Sequence, residues 1–226
     1  MPSPHTLHPF EAELEALHAE VATMTERCQR ALGLALDGFR QRSPQPGPEL
    51  SGLVDLVDAD ESTVDAHVLR VLALYQPVAG DLRMLLATFK LTTDLDRIAQ
   101  DSLSIVRNAS TPLLTEPAAS AELDGMAACV KGMLRDAVRA FFERDPKLAQ
   151  DVIERDRTVN LHYARMLEDI GAHLRTHPTD AGVSVPFFKV GRYVERIGDH
   201  AKNIAEEAIF ASLGDDVRHR DPGHTG

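Results

Sequence analysis

The sequence FKLTTDLDRIAQDSLSIVRNA, residues Phe89–Ala109, aligns without a gap with FKVGRYVERIGDHAKNIAEEA, residues Phe188–Ala208. Both stretches begin with Phe-Lys and end with Ala, and they share an Arg and two Ile at matching positions. A shorter pair, Glu61–Asp65 and Asp156–Asn160, aligns in the same order ahead of them. A chain that repeats itself at such a distance consists of two similar structural units.

Apolar residues recur at spacings of three and four along most of the chain, which predicts six helices separated by Pro- and Gly-rich connections. The predicted helices cover residues 7–41, 49–76, 80–108, 118–143, 146–177 and 186–213. Three helices in each repeat predict an all-α fold of two tandem three-helix bundles. The first bundle is predicted to cover residues 1–111 and the second residues 112–214, followed by a disordered tail over 215–226.

Composition and charge exclude several classes of function. The chain has 24 Lys and Arg against 35 Asp and Glu, a net charge of −11, which disfavours binding to nucleic acid. No apolar run approaches the ~20 residues that span a bilayer, and the first residues do not have the pattern of a signal peptide. Cys28 and Cys129 form no CxxC motif, which fits a reducing compartment. We therefore expect a cytoplasmic protein.

Acidic residues four apart occur on the last helix of each repeat. On an ideal helix, Glu195 and Asp199 lie on the side opposite the apolar stripe, and Asp96 and Gln100 take the equivalent positions in the first repeat. The preceding helices contribute two further pairs of oxygen-bearing residues, Glu61 with Asp65 and Asp156 with Asn160.

Carboxylates four apart repel each other unless a cation neutralises them, and oxygen-rich sites suit Mg²⁺, Ca²⁺, Mn²⁺ or iron. Four such pairs therefore predict metal binding, whereas a single pair would more often belong to a solvated helix face. The neutral side chains of Gln100 and Asn160 weaken two of the pairs as ligands.

Positive evidence for catalysis is absent from the sequence. The phosphate-binding and nucleophile motifs GxxxxGK[ST], GxGxxG and GxSxG do not occur. A di-iron bundle enzyme needs two ExxH motifs, and Glu15 with His18 supplies one. His200 follows Asp199 and is better explained as a surface histidine than as a ligand.

Two motifs and the opening helix resemble the PhoU family of regulators associated with bacterial phosphate uptake. The stretch YVERIGDHAKNIAEE, Tyr193–Glu207, is similar to the signature helix of that family. The stretch YQPVAGDLRML, Tyr75–Leu85, is similar to the turn before the corresponding helix of its first repeat. The resemblance covers about residues 7–213 and implies two three-helix bundles in tandem.

The resemblance also implies surface clusters of iron or zinc on (E/D)xxxD motifs. The matching positions are Glu195, Asp199, Asp156, Asn160, Glu61, Asp65 and Asp96. Gln100 stands where the family usually has Asp, so the first-repeat cluster is the weaker candidate unless Asp101 or Asp94 replaces it.

The function implied by the resemblance is negative regulation of phosphate uptake and of the phosphate-starvation response. Such proteins are non-enzymatic cytosolic adaptors between the ATPase subunit of the phosphate ABC transporter and a phosphate-sensing histidine kinase. A homodimer is expected, with membrane attachment only through the partners. The alternatives are a metal-dependent enzyme or metal-storage protein, and a helical scaffold without metal.

Overall fold

The structure is a computed structural model that describes residues 4–41, 45, 47–108 and 117–214. Its long helices are α1 (Pro4–Arg40), α2 (Pro48–Tyr75), α3 (Ala79–Arg107), α4 (Pro117–Glu143), α5 (Pro146–Thr176) and α6 (Ala181–Leu213). A 3₁₀ turn, Pro178–Asp180, precedes α6, and no strand occurs among the described residues. The all-α prediction is confirmed. The predicted boundary between residues 111 and 112 and the predicted tail over 215–226 lie outside the described residues.

The six helices form two three-helix bundles that share a common interface. Helices α1, α2 and α3 pack on one another, as do α4, α5 and α6. The bundles meet mainly where α3 packs against α6, with a smaller contact between α1 and α4. The helices that carry the sequence repeat are therefore also the ones that join the two halves.

Close packing inside the second bundle depends on glycine in α6. A Cβ atom added to Gly191 would lie 2.2 Å from Met166 Cε and 3.2 Å from Tyr163 Cε2. Both neighbours belong to α5, so the absence of a side chain allows α5 and α6 to approach closely at this point. The equivalent residue of the repeat, Thr92, is buried against α2 and donates a hydrogen bond to Asp65 Oδ1 at 3.4 Å.

Sequence signals mark several helix ends correctly. Asp145 caps α5 by accepting hydrogen bonds from the backbone N–H of Lys147 at 3.0 Å and of Leu148 at 3.1 Å, and Pro146 takes the first helical position. Gly214 ends α6 with a φ of 76°, in the left-handed region that glycine adopts without strain.

The predicted start of α6 at residue 186 is wrong, because the helix already begins at Ala181. Pro186 is the sixth residue of α6 and removes one backbone hydrogen bond, to the carbonyl of Gly182. A side chain stabilises the first turn of α6 instead, because Ser184 Oγ donates a hydrogen bond to the carbonyl of Asp180 at 2.9 Å.

The α3–α6 interface contains polar pairs that the sequence did not predict. Lys90 Nζ lies 3.0 Å from Glu207 Oε1, and both Glu207 and Asp101 are buried. His200 Nδ1 lies 2.8 Å from Asp94 Oδ1, and Arg196 lies 3.4 Å from Asp101. The interpretation of His200 as a surface histidine is therefore wrong, because its ring reaches across to the other bundle.

The described residues contain no helix that is long and apolar enough to cross a membrane. This agrees with the short apolar runs of the sequence.

Replacement of Ile197 by Asp should unfold the second bundle. Ile197 is completely buried in the apolar core, so the substitution buries a carboxylate without a partner and should lower the free energy of unfolding by more than about 3 kcal/mol. Urea denaturation followed by circular dichroism measures the loss. The control is Leu161→Asp, at a half-exposed position on α5, which should cost under about 1 kcal/mol. Equal losses in both variants would mean that Ile197 is not a core residue.

Candidate functional site

A group of three carboxylates lies in the groove between α2 and α3. Ligand oxygens of Asp58, Glu61 and Asp96 all lie within 4.8 Å of one another. Asp65 follows Glu61 one helical turn later and accepts a hydrogen bond from Thr92. We call these four acidic residues, Asp58, Glu61, Asp65 and Asp96, the first cluster.

The first cluster is electrostatically unfavourable without a cation. The pKa of Glu61 is raised, and partial burial is the largest cause. The carboxylates of Asp96, Asp65 and Asp58 raise it further, whereas a hydrogen bond from Thr93 lowers it. Burial also raises the pKa of Asp65 and of Asp96. A multivalent cation in this groove would remove that repulsion.

Asp58 is not among the residues that the sequence predicted for this site. Its signal was available, since Asp58 precedes Glu61 by three residues and therefore lies on the same face of α2. The two replacements considered for Gln100 do not serve, because Asp94 and Asp101 point to α6 and bind His200 and Arg196 there. Gln100 itself donates a hydrogen bond to Asp96 Oδ1 at 3.4 Å.

The equivalent groove between α5 and α6 holds the second cluster, which consists of Asp156, Asn160, Glu195 and Asp199. Asp156 is buried, and its Oδ2 accepts a hydrogen bond from Asn160 Nδ2 at 3.1 Å. Its Oδ1 has no hydrogen-bond donor among the described residues. A buried carboxylate oxygen without a donor is an atom at which a cation can bind.

The carboxylates of the second cluster repel one another across the groove. Burial raises the pKa of Glu195 first, and the carboxylates of Asp199 and Asp156 add to the effect. The pKa of Asp199 is raised by burial and then by Asp156. The side chain of Glu195 is only 13% exposed, although the helical projection located it off the core. The groove with α5 covers it.

The two clusters differ in their cations. Arg192 forms an ion pair with Glu195, and Lys202 Nζ lies 3.6 Å from Asp156 Oδ2. These two cations of α6 therefore partly neutralise the second cluster. No Lys or Arg of the described residues forms an ion pair with the first cluster. Its all-oxygen donor set suits iron or manganese better than zinc, which prefers nitrogen and sulfur ligands.

Removal of one charge from the first cluster should stabilise the metal-free protein. The raised pKa of Glu61 means that folding favours its protonated form, so this contribution to stability is present at about pH 4 and is lost as the pH rises towards 7. Glu61→Gln should therefore gain about 0.5 kcal/mol in EDTA at pH 7 and show a smaller gain at pH 4.

Thermal unfolding at both pH values measures this gain. Asp55→Asn removes a charge from an exposed position of the same helix and is the control. A destabilised Glu61→Gln variant in EDTA would contradict the expected repulsion.

The double variant Glu195→Ala with Asp199→Ala should bind less metal and keep its fold. Both residues lie outside the apolar core, and their removal also relieves repulsion with Asp156. Elemental analysis of the purified protein measures metal per chain, and thermal unfolding measures stability. Asp151→Ala with Glu154→Ala removes two exposed charges of α5 as the control. A strong fall in melting temperature at unchanged metal content would make the pair structural.

Comparisons with known proteins agree with this architecture. Residues 21–109 and 123–208 each match the PhoU domain. The phosphate-specific transport system accessory protein PhoU homolog of Pseudomonas putida is 29% identical, over 95% of this chain and 85% of the relative. The protein of the same name from Aquifex aeolicus is 32% identical, over 92% of this chain and 95% of the relative. The crystal structure of PhoU from Pseudomonas aeruginosa matches with a TM-score of 0.85 at 27% identity, over 91% of this chain and 100% of that chain. The chain belongs to the PhoU family.

Proposed function

We propose that this protein is an accessory and regulatory protein of a phosphate-specific transport system, and that it represses phosphate uptake and the phosphate-starvation response when phosphate is plentiful. The observation that carries the proposal is the pair of PhoU domains, which cover both bundles. The similar proteins of Pseudomonas putida and Aquifex aeolicus bear the name of such accessory proteins.

The proposed mechanism is that of a cytoplasmic adaptor. One surface would bind the ATPase subunit of the phosphate ABC transporter, and another would bind a phosphate-sensing histidine kinase. The structure supports this proposal because the bundles meet through the extended α3–α6 contact, and a body joined in this way holds two surfaces at a fixed distance. A homodimer remains part of the proposal.

A metal ion in the first cluster is a further part of the proposal. Asp58, Glu61 and Asp96 would supply carboxylate oxygens, and Asp65 lies one turn away as a further donor. A bound cation would neutralise like charges on α2 and α3 and so stabilise the packing of these two helices. In the second cluster, Asp156 Oδ1 is the buried atom that a cation would reach.

The alternative function, a metal-dependent enzyme or metal-storage protein, would use the same carboxylates. An enzyme site encloses its substrate in a pocket and keeps a coordination position open. Asp58 is instead exposed at the edge of a helix–helix groove, which favours a structural or docking use of the cluster. The relatives are named as accessory proteins, in agreement with a non-enzymatic adaptor.

Deletion of the gene in its host tests the proposed function. Without the protein, alkaline phosphatase activity, or another output of the starvation response, should be high in phosphate-rich medium. Expression of the wild-type chain from a plasmid should restore repression. Normal repression in the deletion strain, with no second PhoU protein encoded, would overturn the proposal.

The same strain tests whether the carboxylates of the first cluster are needed for repression. A plasmid that carries Asp58→Asn, Glu61→Gln and Asp96→Asn restores repression if these carboxylates are dispensable and fails to do so if the first cluster is required. The matched control carries Asp55→Asn with Asp151→Asn, two exposed acidic positions outside both clusters.

A further inference from the structure

Large apolar side chains are exposed beside the first cluster. Leu82, Leu86 and Phe89 of α3 are 36%, 42% and 39% exposed, and Leu69 of α2 is 59% exposed. Single exposed apolar residues are ordinary on protein surfaces, but a set on two adjacent helices is not explained by the fold of the chain itself.

These apolar residues and the first cluster lie on one continuous surface. On α3, spacings of three and four place Leu82, Leu86, Phe89, Thr93 and Asp96 on the same face of the helix. The same spacings connect the three acidic residues of α2 to Leu69.

Because α2 and α3 are antiparallel, the acidic parts of their two faces lie side by side, and so do the apolar parts. Thr92 Oγ1 lies 3.4 Å from Asp65 Oδ1, so these two residues lie opposite each other and the apolar residues of both helices lie towards the α2–α3 turn. We call this surface the acidic–apolar strip. It consists of the first cluster, Thr93, Leu69, Leu82, Leu86 and Phe89.

Arg97 is the one described cation that acts electrostatically on Asp96, and it forms no ion pair with that carboxylate. Described Lys and Arg side chains form no ion pair with the strip's carboxylates, and ligand oxygens of Asp58, Glu61 and Asp96 lie within 4.8 Å of one another. The equivalent face of α6 differs, because Arg192 stands within it and pairs with Glu195. The unmatched charge therefore belongs to the first bundle.

We propose that, when the first cluster holds no metal ion, the acidic–apolar strip binds an amphipathic helix that has apolar side chains at one end and Lys or Arg at the other. This proposal refines the proposed adaptor function, on which it rests, by assigning the chemistry of one docking surface. From Leu82 to Asp96 the strip is about 21 Å long, which matches about four turns of a helix. Apolar anchors would cover Leu86 and Phe89, and the basic end would approach Glu61 and Asp96.

Charge complementarity distinguishes this occupant from two others. An anionic lipid surface would be repelled by the acidic end of the strip. A second copy of this chain, related by a two-fold axis, would place the acidic end of one strip against either the acidic or the apolar end of the other. Both arrangements leave carboxylates without cations, whereas a basic helix neutralises them.

Binding of a synthetic peptide to the full chain tests the proposal. The probe is a fluorescent 16-residue helical peptide with Leu at positions 2, 6 and 9 and Lys at positions 12, 13 and 16, compared with a scrambled peptide of the same composition. In EDTA and low salt, Leu86→Ser with Phe89→Ser should weaken binding at least tenfold. The matched control, Leu161→Ser with Val185→Ser, changes exposed apolar residues of the second bundle and should leave affinity unchanged.

Charge variants complete the test. Glu61→Gln with Asp96→Asn should weaken the peptide several-fold and reduce the salt dependence of binding, because fewer ionic contacts remain. Leu82→Gln is a second apolar variant, to be used if circular dichroism shows that the double serine variant is unfolded.

Three results would overturn the proposal. The first is equal affinity for the scrambled peptide, and the second is unchanged binding to all the strip variants. The third is a fall in hydrodynamic mass on Leu86→Ser with Phe89→Ser, which would assign the strip to self-association. These results are independent of the deletion phenotype, so failure here and failure of the proposed regulatory function are distinguishable.

Discussion

The packing of α3 against α6 is the constraint on which the rest of the structure depends. Each of these helices is buried on one side by its own bundle and on another side by the opposite bundle. The shared interface includes the buried carboxylates Asp101 and Glu207, paired with Arg196 and Lys90 across the bundles. Burial raises the pKa of Asp101 despite the nearby charge of Arg196, so loss of Arg196 would leave a buried carboxylate without its ion-pair partner.

Burial on two sides leaves each helix of the interface little exposed surface. The acidic residues lie at the edge of that surface, in the groove with the neighbouring helix of the same bundle. Asp96 and Glu195 occupy equivalent positions of the repeat and face α2 and α5, respectively. A groove between helices desolvates a carboxylate more than an open surface does, which is why both pKa values are raised. The fold thus holds like charges together at a cost in stability, and cation binding would recover that cost.

Much of the fold was predictable from the sequence, because the repeat and the apolar periodicity are local patterns. Helix ends were also predictable where a cap exists, as at Asp145, but not where Pro186 continues a helix. Candidate site residues that share a helix were predicted by spacing, for example Glu195 with Asp199, and whether they bind metal stays a prediction. Partners from the opposite bundle, such as Asp94 for His200, were missed because contacts between helices distant in sequence depend on how the bundles dock. Asp58 was missed because the (E/D)xxxD spacing does not include a carboxylate three residues away.

The two halves of the repeat differ in the cations beside their carboxylates, which indicates that the two bundles have different functions. Both halves place carboxylates in the same groove, yet only the second also has Arg192 and Lys202 there among the described residues. A cation or a basic helix would gain more electrostatic energy where the charge is unmatched, so the proposed binding is assigned to the first bundle. The second bundle keeps the same geometry with much of its charge already neutralised. A duplicated helical unit can in this way acquire one ligand-binding face while retaining two equivalent packing faces.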